Sequence, residues 1–109
     1  MDKVTNYRCI LRNAVNQYAR YQPSHGQIEA IPVCDLKNDN YLLMHTGWDN
    51  IRRTHATVLH LRLRDGRVLI EKDGLEHGVT QDLLDAGVAP RDIVYAFETV
   101  PQFMLKKAS

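Results

Sequence analysis

Between Asp2 and Tyr21, apolar side chains recur at alternating steps of three and four: Val4, Tyr7, Leu11, Ala14, Tyr18 and Tyr21, with Ile10 and Val15 widening the stripe. That is the period of one face of an α-helix, and it predicts a helix over 2–21. Arg8, Arg12, Asn16 and Arg20 follow at four-residue steps on another face. Pro23 and Gly26 then predict the end of the helix and a loop.

The pattern changes to strand-like runs at 27–35, 41–48, 53–64 and 67–73. Lys37-Asn38-Asp39-Asn40 supplies turn chemistry between the first two, Gly47-Trp48-Asp49-Asn50 the second break, and Asp65-Gly66 the third. Asp-Gly between two strand patterns favours a two-residue hairpin, because both residues tolerate positive φ. The implied register sets Arg64 opposite Arg67, Leu63 opposite Val68 and Leu61 opposite Ile70. Leu59, Leu61, Leu63, Val68 and Ile70 are then expected to face the core. The other face is expected to carry Val58, His60, Arg62, Leu69, Glu71 and Asp73, with His60 directly across from Glu71. Thr80 is placed to cap a short helix over 81–86 that Gly87 ends. After a turn at Pro90-Arg91-Asp92, residues 93–97 predict a last strand.

Short turns make consecutive strands antiparallel, and the first helix needs the apolar face of the sheet to bury its stripe. The expected fold is therefore α+β: a four- to five-stranded antiparallel sheet packed by a long N-terminal helix, with a short second helix before the last strand. The chain has 109 residues, 44% of them apolar and 25% charged, which fits one folded domain over 1–109. No apolar run approaches the roughly 20 residues of a membrane span. The N-terminus reads as no signal peptide, so the cytoplasm is the expected compartment. There Cys9 and Cys34 are expected to remain thiols. An antiparallel sheet with an open edge also offers a route to a homodimer.

Charge qualifies this picture. The net charge of +1, from 14 basic and 13 acidic residues, is no footprint for strong autonomous DNA binding. The distribution is uneven. Residues 1–26 carry Lys3, Arg8, Arg12 and Arg20 against Asp2, whereas 71–85 carry Glu71, Asp73, Glu76, Asp82 and Asp85 against Lys72. This is either a pair of solvated faces or a polarised surface for charged partners.

The chemical motifs are incomplete. His25, His45, His55, His60 and His77 come without Cys-x-x-Cys or His-Glu-x-x-His, and His55 and His60 would share a strand face only across a bulge. No metal and no cofactor is expected. His60 with Glu71, Asp73 and Arg62 reads as a general base or as a solvated cross-strand pair, with no nucleophile beside it. Asp65 followed by Glu71-Lys72 lacks the spacer of a metal-dependent nuclease, and no glycine loop for phosphate is present. No catalytic residue is assigned. Arg52, Arg53, Arg62, Arg64 and Arg67, with Trp48 just before, suit phosphate contact and base stacking, although Asp49, Glu71 and Asp73 interrupt them. Gly47-Trp48-Asp49 reads first as a structural corner, with Trp48 plugging the edge of the core.

An ordered set of segments runs through the chain: Asp2-Lys3 to Tyr18-Ala19; Tyr41-Leu42-Leu43 leading to Gly47-Trp48-Asp49 and Arg52-Arg53; Leu59-His60-Leu61-Arg62-Leu63 before Asp65-Gly66 and Val68-Leu69-Ile70; Asp73-Gly74-Leu75-Glu76; Leu83-Leu84-Asp85-Ala86-Gly87-Val88; and Pro90-Arg91-Asp92-Ile93-Val94. Over about residues 2–97 this set resembles the XisI family, the controlling factors for excision of the fdxN element in cyanobacteria. Glu98 to Lys107 departs from the family's usual close, lacking its Arg and Thr. The resemblance implies a protein that assists a site-specific recombinase together with a partner called XisH, and it names no catalytic residue. The expectation is a non-enzymatic accessory factor that binds an XisH-like protein, within or beside a recombinase complex. Direct nucleic-acid binding and a small hydrolase or nuclease-like enzyme stand as alternatives. The expected partner- or nucleic-acid-binding residues are Trp48, Asp49, Arg52, Arg53, His60, Arg62, Arg67, Glu71, Asp73 and Glu76.

Overall fold

The computed structural model describes residues 2–21 and 26–97. Pro23, His25 and the divergent close from Glu98 onward lie outside them. The elements run α1 (Lys3–Ala19), β1 (Gln27–Asp35), β2 (Asn40–Asp49), β3 (Arg52–Arg64), β4 (Arg67–Asp73), α2 (Thr80–Ala86), a 3-10 turn (Pro90–Asp92) and β5 (Ile93–Tyr95). The strands form one sheet in the order β1-β2-β3-β4-β5. The first four pair antiparallel, while β5 lies parallel to β4 because α2 carries the chain back before it re-enters the sheet. The sheet thus has five strands and is mixed at one edge. The last strand stops at Tyr95, with Ala96 and Phe97 in a turn.

Asp2 caps α1, its carboxylate accepting from the Thr5 amide at 2.8 Å. The buried line along the helix is Tyr7, Ile10, Leu11, Val15 and Ala19. Burial follows the four-residue row 7-11-15-19, so the apolar stripe is rotated from the predicted one: Ala14 and Tyr18 border it, and Tyr21 is exposed. These side chains pack on Tyr41, Leu43, Leu59, Leu61, Leu63, Val68 and Ile70 from the sheet and on Val79, Leu83 and Val88 from the α2 region. Two of the basic residues of α1 are held by structural ion pairs. Arg8 donates to both carboxylate oxygens of Asp39 at 2.9 and 3.1 Å, and Lys3 lies 3.1 Å from Asp92.

The Asp65-Gly66 turn forms as predicted, with φ of 53° and 74°. Arg64 faces Arg67, Leu63 faces Val68 and Leu61 faces Ile70, with the five expected apolar residues buried. Beyond Ile70 the expected register fails. His60 pairs with Lys72 and Leu59 with Asp73, which leaves Glu71 as the extra residue of a β-bulge. His60 is therefore not across from Glu71. Asp73, paired with core-facing Leu59, turns to the helix side, where its carboxylate accepts from the amides of Leu75 at 3.2 Å and Val79 at 2.8 Å. A second bulge makes Val58 the extra residue of β3 against β2, and Val58 packs against the core. Gly47 is no break but an in-strand residue facing Ile28, and the β2–β3 turn is only Asn50-Ile51. Thr80 does not cap α2. Val79 holds the cap position, and the Thr80 hydroxyl hydrogen-bonds the Tyr95 hydroxyl at 2.6 Å. Gly87 ends α2 in the left-handed region as expected.

Candidate partner-binding surface

Both helices pack on one side of the sheet, so the register fixes what the other side shows. Side chains that pair directly across strands share a face. Ile31 and Val33 of β1, Leu42, Met44, Thr46 and Trp48 of β2, and Arg53, His55, Thr57, His60 and Arg62 of β3 fall together on the outer face. Leu69 also faces outward between Arg62 and Val94 in the register, yet it is buried. The outer face is therefore mixed and not simply polar. Val33 on it is exposed, as is Trp48 at its end.

The β2–β3 hairpin ends in a two-residue turn with Asn50 at φ 57° and Asp49 facing Arg52. Ile51 at the tip is 95% exposed and Trp48 is 51% exposed. Trp48 does not plug the core. Instead the Arg53 guanidinium lies 5.6 Å from the centre of its ring and donates to the Gly47 carbonyl at 3.2 Å and the Thr46 hydroxyl at 3.3 Å. This contact pre-positions an aromatic plate and a cation beside a protruding aliphatic knob. Sequence reasoning named Trp48, Asp49, Arg52 and Arg53 but missed Ile51. The available signal was its place in a tight turn between Asn50 and Arg52, where a β-branched apolar side chain has no core to enter.

The other predicted residues do not join this cluster. His60 shares 3.0 Å with the Asn40 side-chain oxygen, and Arg62 lies 3.3 Å from Glu71. Burial holds the His60 ring below its ordinary pKa and Arg62 adds to the effect, against the opposing pull of Glu71. Asp73 is on the helix side, and exposed Glu76 lines a cavity there. Of the expected group of His60 with Glu71, Asp73 and Arg62, Asp73 therefore stands apart on the other side of the sheet. Arg67 and Arg64 sit at the Asp65-Gly66 end of the sheet, about 40 Å of strand from Arg52 at 3.3 Å per residue. The arginines thus form two separate ends and not one patch. Asp65 likewise stands about 20 Å of strand from Glu71. The β3 bulge places His55 and His60 on the same face, opposite Thr46 and Leu42, but four β2 residues apart is about 13 Å. Among the described residues no group of three or more His, Cys, Asp or Glu is close enough to hold a metal ion. Nor is any helix of the described residues long and apolar enough to cross a membrane. At the β1 edge of the sheet formed by the described residues stands Pro32, which has no amide donor to offer a further strand.

Comparison with known proteins places this fold. The family model described as XisI protein matches residues 1–105. A crystal structure of a XisI-like protein from Anabaena variabilis ATCC 29413 superposes with a TM-score of 0.81 at 22% identity, covering 88% of each chain. A second crystal structure, of the fdxN element excision controlling factor XisI from the same strain, superposes with a TM-score of 0.74 at 26% identity, covering 90% of this chain and 89% of that one. No curated protein matches the chain. With its match spanning nearly all of the sequence, the chain belongs to the XisI protein family.

Proposed function

We propose that this protein is an accessory controlling factor for excision of a DNA element of the fdxN type, acting by binding a protein partner of the XisH kind and not by catalysis. The observation that carries this reading is the β2–β3 hairpin tip. Ile51 and Trp48 are exposed apolar side chains on a two-residue turn, with Arg52 and Arg53 beside them. Trp and Arg dominate the energetics of protein interfaces, and exposed apolar groups set on a rigid support are the usual anchors. Farther along the outer sheet face, beyond Glu29, Thr46 and His55, Val33, Leu42 and Met44 form a second apolar patch. Family membership and the likeness to an excision controlling factor supply the biological setting. Co-purification of the tagged protein with the XisH-like protein of its host tests the reading. A stoichiometric complex is expected, and failure to capture that partner at high concentration of both proteins contradicts it.

Direct nucleic-acid binding is the second reading, favoured by the Trp48–Arg53 stack, which offers a base platform next to a cation. It predicts a gel shift at low salt that disappears steeply as salt rises. Trp48→Ala would then abolish the shift. Absence of any shift at low salt ends this reading and leaves the first intact.

A further inference from the structure

On the helix side of the sheet, away from the hairpin tip, a furrow runs between the C-terminal half of α1 and the segment that leads into α2. Two cavities, of about 450 and about 370 Å³, flank the hydrogen bond that the Tyr18 hydroxyl donates to the Asp82 carboxylate, and both are lined by that pair. Tyr18, Tyr21 and Leu75 line the second cavity with largely apolar surface. Tyr21 is 70% exposed there, an aromatic ring offered to solvent at the mouth of a groove. Around these rings stand Glu76, Asp82 and Asp85. No Lys or Arg among the described residues forms an ion pair with any of the three, and none lines either cavity. Among the described residues the groove thus has an apolar, aromatic wall and a rim of three carboxylates, with His77 as the basic side chain in its lining. The matching occupant has an apolar side chain flanked by cations, because tyrosine faces and carboxylates both attract ammonium and guanidinium groups.

We propose that this furrow docks an extended basic segment of a partner protein. An aliphatic side chain of that segment packs on Tyr21 and Leu75, and neighbouring Lys or Arg side chains reach Glu76, Asp82 and Asp85. The furrow and the hairpin tip lie on opposite sides of the sheet, so the protein presents two surfaces of different chemistry. The proposal does not depend on which partner the hairpin tip engages.

The test uses the full chain and a capped peptide, acetyl-Gly-Arg-Leu-Lys-Arg-Gly-amide, followed by amide chemical shifts at low salt. Saturable shifts are expected at Tyr18, Tyr21, residues 75–78 and α2, with a dissociation constant of about 1 mM or tighter. Replacing Leu in the peptide by Ser, or Arg and Lys by Gln, is expected to weaken binding roughly tenfold or more. In the protein, Glu76→Gln with Asp85→Asn, and separately Tyr21→Ser, are expected to do the same. These side chains are exposed, and both changes keep the Tyr18–Asp82 bond. Four results would overturn the proposal. One is the absence of shifts. A second is shifts spread equally over Glu29, Asp35 and Asp49. A third is binding that the Leu→Ser peptide or the protein variants retain in full. The last is self-association of the free protein that the Glu76→Gln/Asp85→Asn variant abolishes, which would make a second copy the occupant. Binding of an XisH-like protein is read with Trp48 and Ile51 variants, so failure of one surface is distinguishable from failure of the other.

Discussion

The Tyr7 hydroxyl donates a 2.7 Å hydrogen bond to the Asp92 carboxylate from 85 residues away, and the same oxygen accepts the Ala89 amide at 3.1 Å. Asp92 is only 5% exposed and is the buried charged residue of the described core, with Lys3 3.1 Å away. This contact ties the first turns of α1 to the 3-10 turn that launches β5.

Tyr7→Phe removes one donor and leaves a buried carboxylate and the Ala89 amide short of a partner. The expected cost is about 1–3 kcal/mol in chemical denaturation, more than the median for a single hydroxyl. A loss below about 0.5 kcal/mol would show that water replaces the hydroxyl without penalty.

Asp92 also sets an acid limit. The Tyr7 hydrogen bond, helped by Lys3, holds its carboxyl below the ordinary value of 3.8. A carboxylate depressed in the folded state contributes stability that is complete above the unfolded value and lost as pH falls through the folded one. Stability is therefore expected to fall below about pH 4. In Asp92→Asn that limb is expected to be shallower, on a lower baseline. An unchanged acid limb in thermal melts would contradict the assignment.

His60 titrates in the same sense for a different reason. Burial favours its neutral form and outweighs the opposing pull of Glu71, with Arg62 adding a smaller push, so its folded pKa lies below 6.5 while the unfolded chain takes the proton earlier. The stability associated with neutral His60 is present above pH 6.5 and declines as pH falls through that value toward the folded pKa. Imidazole shifts followed by NMR should place the midpoint below 6.5. A midpoint above 6.5 would mean that Glu71 dominates. His60→Gln, which keeps a donor for Asn40, is expected to flatten the slope.

At Gly47 the β1 backbone leaves no room for a side chain. A Cβ built there meets the Gln27 carbonyl oxygen at 1.9 Å, and φ is 148°. Gly47→Ala must separate the two strands, at an expected cost of about 1–3 kcal/mol and with loss of amide protection at 27–29 and 46–48. Wild-type stability in that variant would show the strands have room to spare.

Much of the fold was legible because local chemistry and hydrophobic period agreed. Asp65-Gly66 fixed the third turn, and Leu59, Leu61, Leu63, Val68 and Ile70 then had only one face on which to be buried. What stayed illegible was non-local or had no local marker. Ile70-Glu71-Lys72-Asp73 keeps a plausible strand pattern with or without the bulge, so nothing in it announces that Asp73 will turn to cap the loop before α2. The Tyr7–Asp92 bond joins segments whose proximity only the whole topology creates. The candidate surface divided along the same line. The Trp48–Arg53 pairing follows from a short hairpin. The separation of Arg67 from Arg53 and the departure of Asp73 and Glu76 follow from strand length and the bulge.

The proposed role of the β2–β3 tip is to anchor an XisH-like partner. Isothermal titration of that partner with wild-type protein, Trp48→Ala and Ile51→Asp tests it most directly. Ile51→Asp is expected to melt like wild type, and Trp48→Ala, which gives up the half-exposed ring against Arg53, to stay folded with a slightly lower melting temperature. Each substitution is expected to weaken binding by about 2 kcal/mol, roughly thirtyfold. Equal affinity for the partner in all three proteins would contradict the claim.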